Sequence, residues 1–209
     1  MAAKSEKYHR DDLRGDLLRA GRRYIAEKGH HSLSVRTLAQ SVGVSPGAPY
    51  HHFRDRRALL LALASEGYEE LFGAAHAFVE PGRTPEETLL EMGLQFVNFA
   101  VSSPRLLELM YESELTSPAV DPVLVKYQDI GHAALIKPLR EALTELDENE
   151  IGLRGLAYWS SIYGFASLRR KHMIEKIEPP DMAQDQVVRR VISLAVSAAL
   201  RIESGRPAA

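Results

Sequence analysis

The chain has no cysteine, which excludes a disulfide framework and any thiolate metal site. It also lacks an apolar run near the roughly 18 to 20 residues that a membrane-spanning helix needs. Its first residues, "MAAKSEKYHRDDLRGD", are charged throughout and lack the apolar stretch of a signal peptide, so a cytoplasmic location is the expectation, with no membrane partner. No HExxH, GxSxG, phosphate-cradling glycine loop or Rossmann fingerprint occurs. Histidines come in adjacent pairs, His30–His31 and His51–His52. Neighbouring side chains on a helix diverge, so neither pair alone chelates one ion. Glu112 and Glu114 read as a solvated helix end rather than an acid–base pair. The expectation is no catalytic residue, no metal site and no cofactor.

What is present is asymmetric. The formal net charge is only −2, yet through Glu66 there are 12 Lys and Arg against 7 Asp and Glu, a net of +5. The remainder carries −7, and five of the eight histidines sit in the basic part. A basic N-terminal third on an acidic body suggests a module that faces a polyanion.

Helical periodicity runs through the chain. Leu13, Leu17, Leu18, Gly21, Tyr24 and Ile25 recur at three- and four-residue steps, with Gly29 as the C-terminal stop. Ser34 caps a second helix that Gly43 ends. A third helix is expected from Ser45, with Pro46 at its first position. A fourth runs from Asp55 through Leu59, Leu60, Leu63, Leu71 and Phe72. "EPGRTPEE", residues 80–87, marks a join, after which Thr84, Pro85 and Glu87 form a capping box. Further helices are expected over 89–101, 104–112, 122–146, 151–174 and 181–202. No stretch alternates with the two-residue period of strands. The fold class is all-α: an N-terminal helix-turn-helix domain over 9–55 and a C-terminal helical bundle over 56–204 for ligand binding and dimerisation.

Short helices joined by "VGV" at 42–44 describe a helix-turn-helix, in which Gly43 supplies a positive φ. Residues 23–63 resemble the DNA-binding region of the TetR/AcrR family of bacterial transcriptional regulators. The resemblance rests on "GVSPGAPYHHF", a basic residue three past the Phe, and then "ALL". Pro49 stands where the family has Leu or Ile, and Arg56 where Lys is common.

The resemblance implies a partner, a double-stranded DNA operator, and assigns roles. Tyr50 matches a phosphate donor with His51 beside it. Arg56 matches the cation that grips the DNA backbone. Arg36 matches a position that reaches a base edge. Thr37 and Ser45 are phosphate candidates, while Gly47 and Ala48 offer backbone and methyl contacts. His52 and Phe53 are expected to pack inside, and Arg54 and Arg57 to be solvated. Lys4, Lys7 and Arg10 form either a minor-groove arm or a functionless terminus.

The family's body holds a small-molecule effector and transmits its presence to the heads. Candidate effector residues are Phe96, Met110, Tyr111, Tyr127, Trp159 and Tyr163, weighed against their being ordinary core. "AYWSSIYGFASL" resembles the Trp-His-Gly motif of one C-terminal subclass, with Tyr163 replacing the His. The apolar "VVRRVISLAVSAALRI" exceeds what one core requires. The resemblance makes it half of a homodimer interface, with Gly155, Gly164, Val188, Val191, Ala195 and Ala199 as contacts. The expected function is a palindrome-binding repressor released by a small hydrophobic effector. The alternative is a helical small-molecule-binding protein or enzyme without DNA binding.

Overall fold

The computed structural model describes residues 12–73 and 82–201, so the Lys4, Lys7 and Arg10 arm lies outside the described residues. Eight α-helices and one short 3-10 turn make up the described chain, with no strand among them. The helices are α1 (Leu13–Lys28), α2 (Val35–Ser41), α3 (Arg56–Gly73), α4 (Pro85–Ser102), α5 (Pro104–Tyr111), α6 (Pro122–Ala142), α7 (Glu148–Arg170) and α8 (Gln184–Leu200), with the 3-10 turn at Ala48–His51.

Local chemistry starts and stops most of them. Asp12 Oδ1 accepts from Gly15 N at 2.9 Å to begin α1, and Gly29, at φ 77°, ends it. Ser34 Oγ accepts from Thr37 N at 3.0 Å, satisfying one of the orphan donors of α2. Gly43 turns the chain away at φ 71°. At α4 the capping box is complete: Glu87 N donates to Thr84 Oγ1 and Thr84 N donates to Glu87 Oε2. Asp147 caps α7 through Glu150 N at 2.9 Å.

The expected third helix is reduced to the 3-10 turn. Pro46 and Pro49 both lack an N–H, and the Pro49 ring obstructs the carbonyl four residues back, so α-helical bonding cannot establish itself. The chain adopts tighter bonds instead, Ala48 N to Ser45 O at 3.1 Å, Tyr50 N to Gly47 O at 3.2 Å and His52 N to Pro49 O at 2.9 Å. Ser45 is therefore not a side-chain cap. Later helices also end before their periodicity suggests, α8 stopping at Leu200. Leu143 closes α6 through a bond to Leu139 O, and α7 stops before His172, whose φ of 56° breaks the helix.

The apolar stripes meet in one continuous core running from Leu17 and Leu38 in the head, through Leu59, Leu60 and Leu63 of α3, to Ile192 and Val196 of α8. Helix α3 packs on α1 and also on α5 and α6, so it belongs to both halves. Helices α4, α7 and α8 pack on one another. Gly93 makes that possible, since a Cβ there would lie 2.6 Å from Ile192 Cγ2 and 2.8 Å from the Tyr158 hydroxyl.

Candidate functional site

The head presents one exposed edge built from α2 and the 3-10 turn. Arg36 on α2 is exposed. Tyr50 is 53% exposed, with Ser45, Gly47, His51 and His52 also exposed beside it. Nothing would obstruct a Cβ at Gly47 within 4 Å, so that backbone is bare toward solvent. Ala48 is half-buried, and Thr37 is too, its hydroxyl tied to Ser34 Oγ at 2.7 Å. Pro49 is the residue that anchors the turn, being buried. Phe53 is buried as expected, under the Arg14 guanidinium 5.6 Å from its ring centre. His52 is not: the tight turn leaves its side chain outside.

Arg56 departs furthest from expectation. Its Nε donates to Leu33 O at 2.8 Å, and one terminal nitrogen donates to His30 O at 2.8 Å and His31 O at 3.1 Å. The other pairs with Glu114. A guanidinium holding three carbonyls and a carboxylate is an internal strut, and a DNA phosphate would have to displace them. Arg57 is solvent-exposed as expected, yet also engaged. It donates to Asp121 Oδ2 from Nε at 3.0 Å and to Glu114 O at 3.2 Å. Both arginines open α3 and fasten the head to the segment between α5 and α6.

The same junction holds His30, fully buried and lacking a hydrogen bond at either ring nitrogen. Burial, with His31 and Arg56 nearby, holds its imidazole below the ordinary range against the pull of Glu114 and Glu108. Glu114 is held below the usual carboxylate range: burial works the other way, but the Arg56 hydrogen bond, a backbone hydrogen bond and the Arg56 charge together outweigh it.

The body encloses a cavity of about 490 Å³ between α3, α4, α6 and α7, within the range of small-molecule sites. Of the six candidate effector residues it brings together four, Phe96, Tyr111, Tyr127 and Trp159. Phe96 meets Trp159 edge-on with centroids 4.8 Å apart, and Tyr68 stacks on Tyr127 at 5.0 Å. Met110 is not at the wall. It is fully buried with its sulfur against Gly67, filling the space between α3 and α5. Tyr163 is also set aside, donating to Glu112 Oε1 at 3.0 Å, and burial followed by that bond pushes its hydroxyl up to about 12.

The sequence reading missed Tyr68, Tyr158, Gln128 and His132, all on the wall. Gln128, Gly131, His132 and Leu135 follow the three- and four-residue steps of one α6 face, a signal that was available. Three of the four wall tyrosines direct their hydroxyls into protein: Tyr68 to Met110 O at 2.9 Å, Tyr127 to Glu69 Oε1 at 2.9 Å and Tyr158 to Leu89 O at 2.5 Å. What they offer the cavity is ring surface.

Residues 17–63 match the family described as bacterial regulatory proteins, tetR family, and residues 89–194 match the tetracyclin repressor-like C-terminal domain. The chain belongs to the TetR family of bacterial regulatory proteins. It is 45% identical over 62 residues to the HTH-type transcriptional repressor Rv1474c of Mycobacterium tuberculosis, a stretch covering 30% of this chain and 33% of that one. It is 34% identical over 87 residues to the HTH-type transcriptional regulator UidR of Escherichia coli K12, covering 42% and 38%. The matched stretches thus span little more than a third of these relatives. A protein of unknown function from Rhodococcus sp. RHA1 superposes with a TM-score of 0.77 at 27% identity, over 91% of this chain and 97% of that one. The TetR-family regulator PfmR of Thermus thermophilus superposes at 0.62 with 21% identity, over 86% and 96%, a likeness of fold.

The outer faces of α7 and α8 in this TetR-family chain differ from those expected. Val188 and Ala199 are buried in the chain's own core. Gly155 faces inward, where a Cβ would stand 2.8 Å from Ile136 Cδ1. None of the three is available to a second chain. Val191 and Ala195 are half-buried, and Gly164 opens toward free space. Leu153, Leu156 and Leu168 on α7 and Leu194 on α8 are the exposed apolar residues, at 61%, 62%, 41% and 57%. No helix among the described residues is long and apolar enough to cross a membrane.

Proposed function

We propose that the chain is a DNA-binding transcriptional regulator, a repressor that holds a palindromic operator as a homodimer and is released by a small hydrophobic effector. The observation that carries this reading is the family match over the head, whose exposed edge leaves Arg36, Tyr50 and His51 without an intramolecular partner among the described residues. In this reading Tyr50 and His51 bond phosphates and Arg36 reads a base edge. Ser45, Gly47 and Ala48 approach the backbone closely, Thr37 supporting them through Ser34. The head spans 9–55, and the body, 56–204, holds the effector and the dimer face.

Cavity and head share a mechanical link that supports regulation by occupancy. Asp121 caps α6 through Val123 N at 3.0 Å and also holds Arg57 at the start of α3. Helix α6 carries Tyr127 and His132 on the cavity wall. An effector that displaces α6 therefore shifts Asp121, and with it the base of the 3-10 turn, favouring one head arrangement over another. The aromatic wall favours a planar or bulky apolar effector with few polar groups.

The test is a competition titration with single-base operator variants at two salt concentrations. Arg36→Ala should relax sequence preference at one symmetric pair of positions, since a bidentate base contact is worth about 1–3 kcal/mol. Tyr50→Phe should weaken all duplexes alike. A chain that binds no duplex above non-specific affinity would return the alternative, a helical small-molecule-binding protein or enzyme.

A further inference from the structure

At the junction between head and body, three ligand-type side chains from two distant segments converge. His30 and His31 leave the end of α1, and Glu108 comes from α5. One ligand atom from each lies within 4.8 Å of the others. The rings of His30 and His31, expected to diverge, lie 4.1 Å apart because they follow the helix rather than sit in it. We propose that His30, His31 and Glu108 form a binding site for a borderline divalent cation of the zinc class, which bridges the head and the body.

Geometry and chemistry agree. A zinc ion with ligands at about 2.0–2.1 Å in a tetrahedron sets neighbouring ligand atoms roughly 3.4 Å apart. His31 Nε2 already stands 3.5 Å from Glu108 Oε1. His30 Nε2 stands 3.6 Å from Glu114 Oε2, at the rim of the same cluster. His31, 77% exposed, and Glu108, 34% exposed, have room to turn toward an ion.

The second observation is His30 itself. Its side chain is 0% exposed, and both ring nitrogens lack a hydrogen-bond partner. An imidazole buried this way costs free energy unless something binds it. A metal ion accepts the lone pair that no protein donor meets. The local charge is also favourable. Glu108 and Glu114 outweigh the one nearby guanidinium of Arg56, which is occupied by Glu114 and the carbonyls of His30, His31 and Leu33. Two nitrogens and one carboxylate oxygen suit zinc or cobalt better than magnesium or calcium, which prefer oxygen alone.

The experiment titrates chelator-treated full-length protein with Zn²⁺ in a calorimeter and with Co²⁺ in an absorption cell. One ion per chain is expected, with a visible cobalt band of low-symmetry intensity and a rise in thermal midpoint with added zinc. His31→Ala should weaken binding by at least about tenfold without unfolding the chain, because that side chain is exposed, and Glu108→Gln should do the same. His172→Ala, which removes another exposed His–Glu pair, at 2.6 Å, should leave binding unchanged. Absence of saturable binding at one ion per chain overturns the proposal. So does binding that survives both His31→Ala and Glu108→Gln, or that is lost in His172→Ala. None of these readouts involves DNA, so the outcome is independent of operator binding.

Discussion

Arg56 and Arg36 carry the same charge within one small domain and do opposite things. Arg36 projects from α2 with no partner among the described residues. Arg56 turns inward and satisfies the carbonyls of His30, His31 and Leu33 while pairing with Glu114. Removing Arg56 leaves those acceptors without their charged donor, and hydrogen bonds to charged groups are each worth about 1.5–3 kcal/mol. Arg56→Ala should therefore lower the free energy of unfolding by about 2–3 kcal/mol, while Arg36→Ala stays within about 0.5 kcal/mol. Urea denaturation of the two variants checks this. Equal, small effects would return Arg56 to a solvent-facing role at the DNA backbone. Nothing near position 56 in the sequence signalled its inward turn, because its partners lie 23 to 58 positions away. His30 was illegible for the same reason: Glu108 reaches it only through the packing of α1 on α5.

Among the elements, boundaries written in local chemistry were legible and those set by packing were not. Thr84, Pro85 and Glu87 spell out a capping box within four residues, and the box is there. Gly29 and Gly43 mark stops, and both take positive φ. The shortening of the third helix was also written locally, in two prolines three residues apart, but periodicity masked it. The join of α5 to α7 depends instead on a long-range cluster. Glu112, at the end of α5, holds Arg170 and lies 3.8 Å from Lys171 at the end of α7. The Arg170 side chain is only 6% exposed. Removing the partner of such a buried cation is strongly destabilising, so Glu112→Gln should cost about 3 kcal/mol. Burial alone would raise the Glu112 carboxyl, but hydrogen bonds from Arg170 and Tyr163 outweigh it and hold it below the usual 4.5. A depressed folded-state value means that this stabilisation is complete above about 4.5 and is lost as the pH falls through the folded value. Thermal melts from neutral pH downward should show a steeper acid decline for the natural chain than for Glu112→Gln. Parallel declines would remove Glu112 from the acid sensitivity.

On the scale of the whole molecule, the apolar excess expected over 187–202 is mostly spent on the chain's own core, and the exposed leucines lie chiefly on α7. Periodicity fixes a stripe only relative to neighbours, and Val188, Ala199 and Gly155 turn into the chain's own core. Leu153, Leu156 and Leu168 continue down the outer face of α7, and Leu194 adds to it from α8. Exposed leucines of this kind, with Gly164 open beside them, are what an apolar contact with a second chain would cover. A self-complementary contact through them would pair two heads, as two half-sites of a palindrome require. Light scattering at micromolar concentration should then give twice the 23.3 kDa chain mass. Leu153→Glu combined with Leu194→Glu should give the single-chain mass, because it puts charge into an apolar contact made by exposed side chains, while the helical circular dichroism is retained. Operator affinity should fall with the heads untouched. Ala199→Glu is the contrasting variant: at 4% exposure it places a carboxylate in the core, so it should unfold the chain rather than divide a dimer. A natural chain that scatters as a monomer, or a double variant that keeps twice the chain mass, would move the interface away from these two helices.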